Sequence, residues 1–364
     1  MTIDLRGTTL DHYDNVGGAV VTLHTNKGDF GTAHRAFTQS DKNAFFGTHV
    51  PRPAVPTPVA IYDARLDVDA IADLAGNPAH MAARADDSLF TRVNTLKPDG
   101  LRILAGHTPH KKPWDATNDA LWMHAASGSK AHAVGLVAHP LETRNSLEQR
   151  LRDADRFMLA LPDDAQRPVA PVISTAAKHF THLVDYVVEQ NLPLVGFEFH
   201  GLTRTRASMG YFHRVMDRAA VPPWTFAINV PRQHSDGHGS GTLIAAKYGI
   251  QSVAQSVFYG NPTGDDPSRE PDDPGTMWWF HQPWGGYERY QVLGHPESGC
   301  PCPNGTGQAF NPRNITSMLA ARLRHETWTH MVDQPNYVKH TASQDYGGYV
   351  DARACLMTSL ASLP

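Results

Sequence analysis

Val169-Ala-Pro-Val-Ile-Ser174, Ala176-Ala-Lys-His-Phe-Thr-His-Leu-Val-Asp-Tyr-Val-Val-Glu-Gln-Asn191 and Leu194-Val-Gly-Phe-Glu-Phe199 follow one another along the chain. The first and third stretches are short, apolar and rich in β-branched or aromatic residues, the signature of buried strands. The middle stretch repeats its apolar residues at helical spacing, and Pro193 stands just beyond it. Strand, helix, strand in this order is a parallel βαβ unit. The same alternation extends outward. It predicts strands at Val59–Ala64, Leu101–Ala105, Ala133–Ala138, Phe157–Leu161, Thr225–Val230 and Ser252–Phe258, and helices at Ser208–Ala219 and Ser240–Tyr248. An α/β fold follows, expected to be a (β/α)8 TIM-type barrel, with a doubly wound open sheet as the alternative.

Two flanking regions break the alternation. Residues 1–55 read as a β-rich N-terminal segment: Gly18-Ala-Val-Val-Thr-Leu-His24 is a strand and Asn26-Lys27-Gly28 a turn that returns it as a hairpin. Pro51 to Pro58 holds four prolines and reads as a rigid connector. Residues 261–312 are dominated by Gly, Pro, Asp and Trp, including Trp278-Trp-Phe280 and Trp284-Gly-Gly-Tyr287. They read as a loop-rich insertion, and long loops of this kind are usually functional or tied by metal. The barrel is expected to comprise 56–260 and 313–364.

Composition narrows the classes. The chain has 364 residues, 41% of them hydrophobic, enough for a substantial core. Its formal charge of −4 excludes a polycationic tail protein, so nucleic-acid contact would need a local basic patch. Such a patch could come from Arg313, Arg322, Arg324 and His325 with Trp328, on a predicted helix over Ile315–Met331; a solvated helix face is the equal alternative. The three cysteines are too few for a disulfide framework, and metal binding in a reducing compartment is the better reading. Met1-Thr-Ile-Asp-Leu-Arg6 lacks an apolar leader, and no apolar run is long enough to span a bilayer. A cytoplasmic protein without membrane contact is expected.

Candidate chemistry lies at the C-terminal ends of the predicted strands, where barrel active sites form. Asp63 ends Val-Ala-Ile-Tyr-Asp. Glu198 and His200 end Val-Gly-Phe-Glu-Phe-His. Asn229 lies in Phe-Ala-Ile-Asn-Val and Gln255 in Val-Ala-Gln-Ser-Val. Two carboxylates facing one pocket, Asp63 and Glu198, could divide nucleophilic and acid/base roles; each could equally satisfy strand-end backbone groups. Cys300-Pro-Cys302, with His295 before it and His325 after it, offers thiolate and imidazole donors that suit a structural zinc ion. His107, His110 and His139 follow other strands and could gather a metal, although in a chain with 21 histidines coincidence is the better explanation. Ser235-Asp-Gly-His-Gly-Ser-Gly241 could cradle an anion or be a plain strand-to-helix loop.

Residues 190–335 resemble the tRNA-guanine transglycosylase family, which includes relatives that insert 7-deazaguanine bases into DNA. The likeness rests on an ordered series: Leu194–Gly201, Pro223–Pro231, Thr242–Ile250 followed by Ser252–Phe258, His295-Pro-Glu-Ser-Gly-Cys-Pro-Cys302, and Leu323-Arg-His-Glu326. It implies a pentosyltransferase that exchanges guanine for a 7-deazaguanine in DNA or tRNA, with Asp63 and Glu198 in catalysis and base recognition. His200, Asn229 and Gln255 would bind substrate, and Cys300, Cys302, His325 and His295 would hold zinc. DNA is favoured because the chain is compact, its zinc motif diverges and no appended RNA-binding domain is recognisable. The trio Trp278, Trp279 and Trp284 could line a pocket for an extruded base. A homodimer or a pairing with a paralogous subunit is also expected. This chain departs from the family twice. Pro303-Asn-Gly-Thr306 stands where the family has a third Cys, and Ala254 or Gln255 where it has an Asp nucleophile. A non-catalytic partner subunit and an unrelated metal-dependent barrel hydrolase are therefore the alternatives.

Overall fold

The computed structural model describes residues 3–12, 19–30, 34–39, 59–96, 99–109, 114–199, 202–216, 219, 221–231, 245, 249–256, 276–281 and 286–291. The expected βαβ unit is there. Val169–Ala170 (β8) and Val172–Ser174 (β9) lead into helix α6 (Phe180–Glu189) and then strand β10 (Leu194–Glu198). Around it the chain alternates β5 (Val59–Arg65), α1 (Val68–Gly76), α2 (Pro78–Ala85), a π-helical turn (Asp86–Phe90) and α3 (Thr91–Leu96). Next come β6 (Leu101–His107), α4 (Ala116–Ser127), β7 (Ala133–Ala138) and α5 (Arg144–Leu159). After β10 follow α7 (Leu202–Met216), β11 (Trp224–Pro231) and β12 (Ser252–Ser256). The class is mixed α/β with parallel sheets.

The strands form two parallel sheets. One runs β5-β6-β7-β8; the other runs β4-β12-β11-β10-β9, where β4 is His34–Arg35. They are joined at both edges. Pro171 splits the Val169–Ser174 strand, and the two halves take different partners: Val169 and Ala170 pair with β7, Val172 to Ser174 with β10. Proline has no N–H to give either ladder, so the position suits a change of partner. Its carbonyl still accepts from Gly196 N–H at 2.8 Å. At the other edge, Ala36 N–H donates to Val253 of β12, while Phe37 exchanges hydrogen bonds with Val59 and Ile61 of β5, each bond 2.9 Å long. Phe37 is fully buried. Residues 34–37 thus belong to the parallel sheets, although they fall inside the segment expected to be a β-rich cap.

Between the strands the interior is tightly interlocked. A Cβ added to Gly196 would lie 2.5 Å from the Phe226 ring and 2.9 Å from Val172 Cγ2, and one added to Gly135 would lie 2.6 Å from Val172 Cγ2. Both glycines therefore make room for a large neighbour. Trp122 anchors α4 against this layer by donating its indole N–H to Gly135 O at 2.9 Å.

The N-terminal hairpin forms as expected. β1 (Leu5–His12), β2 (Ala19–Thr25) and β3 (Gly28–Phe30) make an antiparallel sheet, with Gly28 at φ +129° after the turn at Asn26 and Lys27. Lys27 Nζ lies 2.7 Å from His132 Nε2, just before β7, and the Thr8 hydroxyl donates to Pro222 O at 2.8 Å, just before β11. The sheet therefore covers the starts of the parallel strands.

One expectation is corrected. Phe157–Leu161 is not a strand: Phe157, Met158 and Leu159 are the last turn of α5. Thr143 caps this helix by a reciprocal capping box with Ser146, and Leu147, Leu151, Ala154 and Met158 form its buried stripe. A five-residue apolar run cannot by itself separate strand from helix end. Within residues 261–312, β13 (Thr276–His281) and β14 (Gly286–Gln291) pair as an antiparallel hairpin. The proline connector 51–58, Trp284, the zinc-motif residues and the basic helix 315–331 lie outside the described residues, as does all but Ala245 of the predicted helix 240–248.

Candidate active site

Asp63 is the fifth residue of β5, close to its C-terminal end, and the parallel register sets Arg65 of β5 opposite His107 of β6. His107 Nδ1 lies 2.9 Å from Asp63 Oδ1, and both side chains are nearly buried. Across the site, Glu198 ends β10 opposite Ser174 of β9, whose hydroxyl donates to Glu198 Oε2 at 2.6 Å. Strand-end placement explains both carboxylates, since side chains of alternate strand residues share a face.

Asn229 connects the two pairs. Its backbone N–H donates to Asp63 Oδ2 at 2.9 Å, and its Nδ2 donates to Glu198 Oε1 at 2.8 Å and to Phe199 O at 3.3 Å. The geometry requires a left-handed backbone, φ +53°, at a break in the β11–β12 ladder between Ala227 and Val230. Asparagine tolerates that conformation better than most residues. Strained backbone of this kind clusters at functional sites.

Gln39, just beyond the β4 segment, donates from Nε2 to the Asp63 carbonyl at 3.0 Å. That bond fixes which end of the amide faces Asp63, and among the described residues it leaves Oε1 buried without a hydrogen-bond partner. A buried acceptor of this kind costs free energy until a donor reaches it.

Electrostatics favour a charged imidazole at His107. Burial alone would lower its pKa, but the Asp63 charge and hydrogen bond, with the Glu198 charge, outweigh burial and the opposing Arg65 charge, so the pKa rises above the ordinary value. Nδ1–H then points at the carboxylate. Nε2 makes no hydrogen bond among the described residues. A carboxylate orienting an imidazole through one ring nitrogen is a geometry suited to proton transfer.

The structure brings together three of the sequence candidates: Asp63, Glu198 and Asn229. His200 lies outside the described residues, as do His110, Ser235–Gly241, His295, Cys300, Cys302 and His325. Gln255 pairs by backbone with Val230 at the end of β12. Ser174 and Gln39 carried no sequence signal beyond their place at strand ends, and His107 stood out only as one of several histidines.

His139 belongs to a separate buried cluster. Its Nε2 lies 3.1 Å from Glu142 Oε2, off the hydrogen-bonding direction. Glu142 also pairs with Arg150, which forks onto Asp119 at 2.6 and 2.9 Å and donates to Val137 O at 2.9 Å. Asp119 in turn accepts from the Trp114 indole at 2.8 Å. These contacts tie α4, α5 and the end of β7 together. Among the described residues no group of three or more His, Cys, Asp or Glu side chains is arranged to hold a metal ion. None of the described helices is long and apolar enough to cross a membrane. No protein-family model matches the chain, and no curated protein matches it either.

Proposed function

We propose that the two linked sheets close into a (β/α)8 barrel and that the chain is a pentosyltransferase, exchanging guanine for a 7-deazaguanine base in nucleic acid. DNA is favoured over tRNA. The double junction, at Pro171 and at Phe37, supports the barrel. The observation that carries the chemistry is the coupling of Asp63 and Glu198 through the single residue Asn229.

Base exchange needs one carboxylate at C1′ and polar groups that hold the departing and arriving bases. Asp63 is the attacking group in this reading, because β12 carries no carboxylate between Ser252 and Ser256. Glu198, held by Ser174 and Asn229, accepts hydrogen bonds from the N–H edge of the base. Gln39 Oε1 offers a second acceptor beside Asp63. The base reaches them extruded from its stack. Cys300, Cys302, His325 and His295 supply donors that suit a tetrahedral zinc; the ion would be structural, and no step runs through it.

The test is exchange. Purified protein is incubated with guanine-labelled DNA or tRNA and a free 7-deazaguanine. Label released from one polymer, and lost with Asp63→Asn and Glu198→Gln, is the expected result. No release from either polymer sinks the catalytic reading. Release that appears only when a paralogous subunit is added favours the non-catalytic partner, which the absence of a β12 carboxylate also favours.

A further inference from the structure

We infer that His107 is the proton carrier of this site, coupled to Asp63 so that attack by the carboxylate itself releases the proton. The geometry carries it. Asp63 Oδ1 stands 2.9 Å from His107 Nδ1, both side chains are close to fully buried, and Nε2 makes no hydrogen bond among the described residues. The inference takes its substrate from the proposed base exchange; the coupling of Asp63 to His107 does not depend on it.

The groups facing His107 are Asp63 of β5, Glu198 of β10 and Arg65 of β5. Burial and Arg65 drive the proton off the ring, whereas the Asp63 charge and hydrogen bond, with the Glu198 charge, hold it on. Attack removes the strongest of the holding contributions. As an Asp63 oxygen bonds to C1′, the C1′–N9 bond breaks and its electron pair passes to the departing guanine. Asp63 becomes a neutral glycosyl ester, so its charge no longer holds the imidazolium. The Nε2 proton moves to the guanine, leaving a neutral imidazole and a neutral free base. The incoming 7-deazaguanine reverses the sequence. Its N9 bonds to C1′, the ester C–O bond breaks with its electron pair returning to Asp63, and the N9 proton goes to His107 Nε2. The proton inventory closes over one cycle, and the acid is strongest when the leaving base needs it.

Two measurements on the full chain test this. The first is an NMR titration of 15N-labelled histidine, with the His107 resonance assigned by its loss in His107→Gln. His107 is expected to titrate above free histidine in the wild type and below it in Asp63→Asn, where burial remains and the charge is gone. An unchanged His107 pKa in Asp63→Asn overturns the coupling, whatever the protein does to nucleic acid. The second uses a leaving group that needs no proton. In a polymer carrying 7-methylguanine the base is already cationic and departs neutral. His107→Gln is expected to slow guanine release roughly 100-fold or more, the usual scale of general acid catalysis, while 7-methylguanine release stays within a few-fold of wild type. Equal loss for both bases makes His107 a structural prop and overturns its role as acid. If the wild type releases neither base, base exchange fails and the acid role falls with it, while the titration still decides the coupling.

Discussion

Asn229 holds the two carboxylates with one residue because its backbone adopts φ +53°. A Cβ in that region costs roughly 1–2 kcal/mol, which glycine avoids. Asn229→Gly is therefore expected to keep the N–H to Asp63 and lose only the side-chain bond to Glu198. Asn229→Ala loses that bond and bears the strain. In urea denaturation Asn229→Ala should be less stable than Asn229→Gly by about 1 kcal/mol, and both should lose the proposed base exchange. Equal stabilities would mean that the backbone relaxes at this position. Ser174 acts on a smaller scale: Ser174→Ala leaves one oxygen of buried Glu198 without its hydroxyl partner, at a cost of about 1–3 kcal/mol.

At the level of elements, packing between neighbouring strands fixes where the site residues stand. Gly196 lies two residues before Glu198 and admits the Phe226 ring, three residues before Asn229. Gly196→Ala is expected to cost about 1–3 kcal/mol by overpacking, and Phe226→Leu in the same chain should recover much of it. A double-mutant cycle with no coupling between the two positions would show that they do not meet. The helices are fixed differently. Arg150 of α5 is buried between Glu142 and Asp119. Arg150→Met leaves both carboxylates buried without their cation, and a loss of about 3–5 kcal/mol is expected by denaturant titration. Burial alone would raise the Glu142 pKa, but the adjacent His139 imidazole, the Arg150 charge and the Ser146 hydrogen bond hold it below the ordinary value. Its stabilisation is present above the unfolded-state pKa and is lost as pH falls through the lowered folded value.

For the whole molecule, the N-terminal sheet meets the strand starts at a cationic cluster. Lys27 and Arg102 both face Nε2 of buried His132. Burial first, and then the charges of Arg102, Lys27 and Arg167, push the His132 pKa down to about 3. Between the ordinary value of 6.5 and about 3, the unfolded chain binds a proton that the folded chain does not. Folding stability therefore falls as pH drops through that window, by up to about 1.4 kcal/mol per pH unit. His107 acts in the opposite sense. Its pKa is raised, so its contribution is complete below the unfolded value and fades as pH rises through the folded one. Urea midpoints measured from pH 7 to pH 4 should decline less steeply for His132→Gln than for the wild type. Parallel declines would place the acid sensitivity elsewhere, with Glu142 the next group to replace.

The sequence by itself determined the alternation of strands and helices, because apolar runs of strand length and helical spacing are local properties. It marked Asp63, Glu198 and Asn229 as strand-end polar groups, and it located the N-terminal hairpin through its turn residues. It mistook the end of α5 for a strand, since Phe157–Leu161 is too short to show a period and the capping box that starts the helix lies fourteen residues upstream of Phe157. Only the tertiary structure decided which polar groups meet. The Asp63–His107 contact depends on the register of β5 against β6. The bridge through Asn229 depends on a break in the β11–β12 ladder, and Gln39 reaches Asp63 only because residues 34–37 join two sheets. Each of these contacts spans residues far apart in the chain, and no local pattern encodes the distance between them.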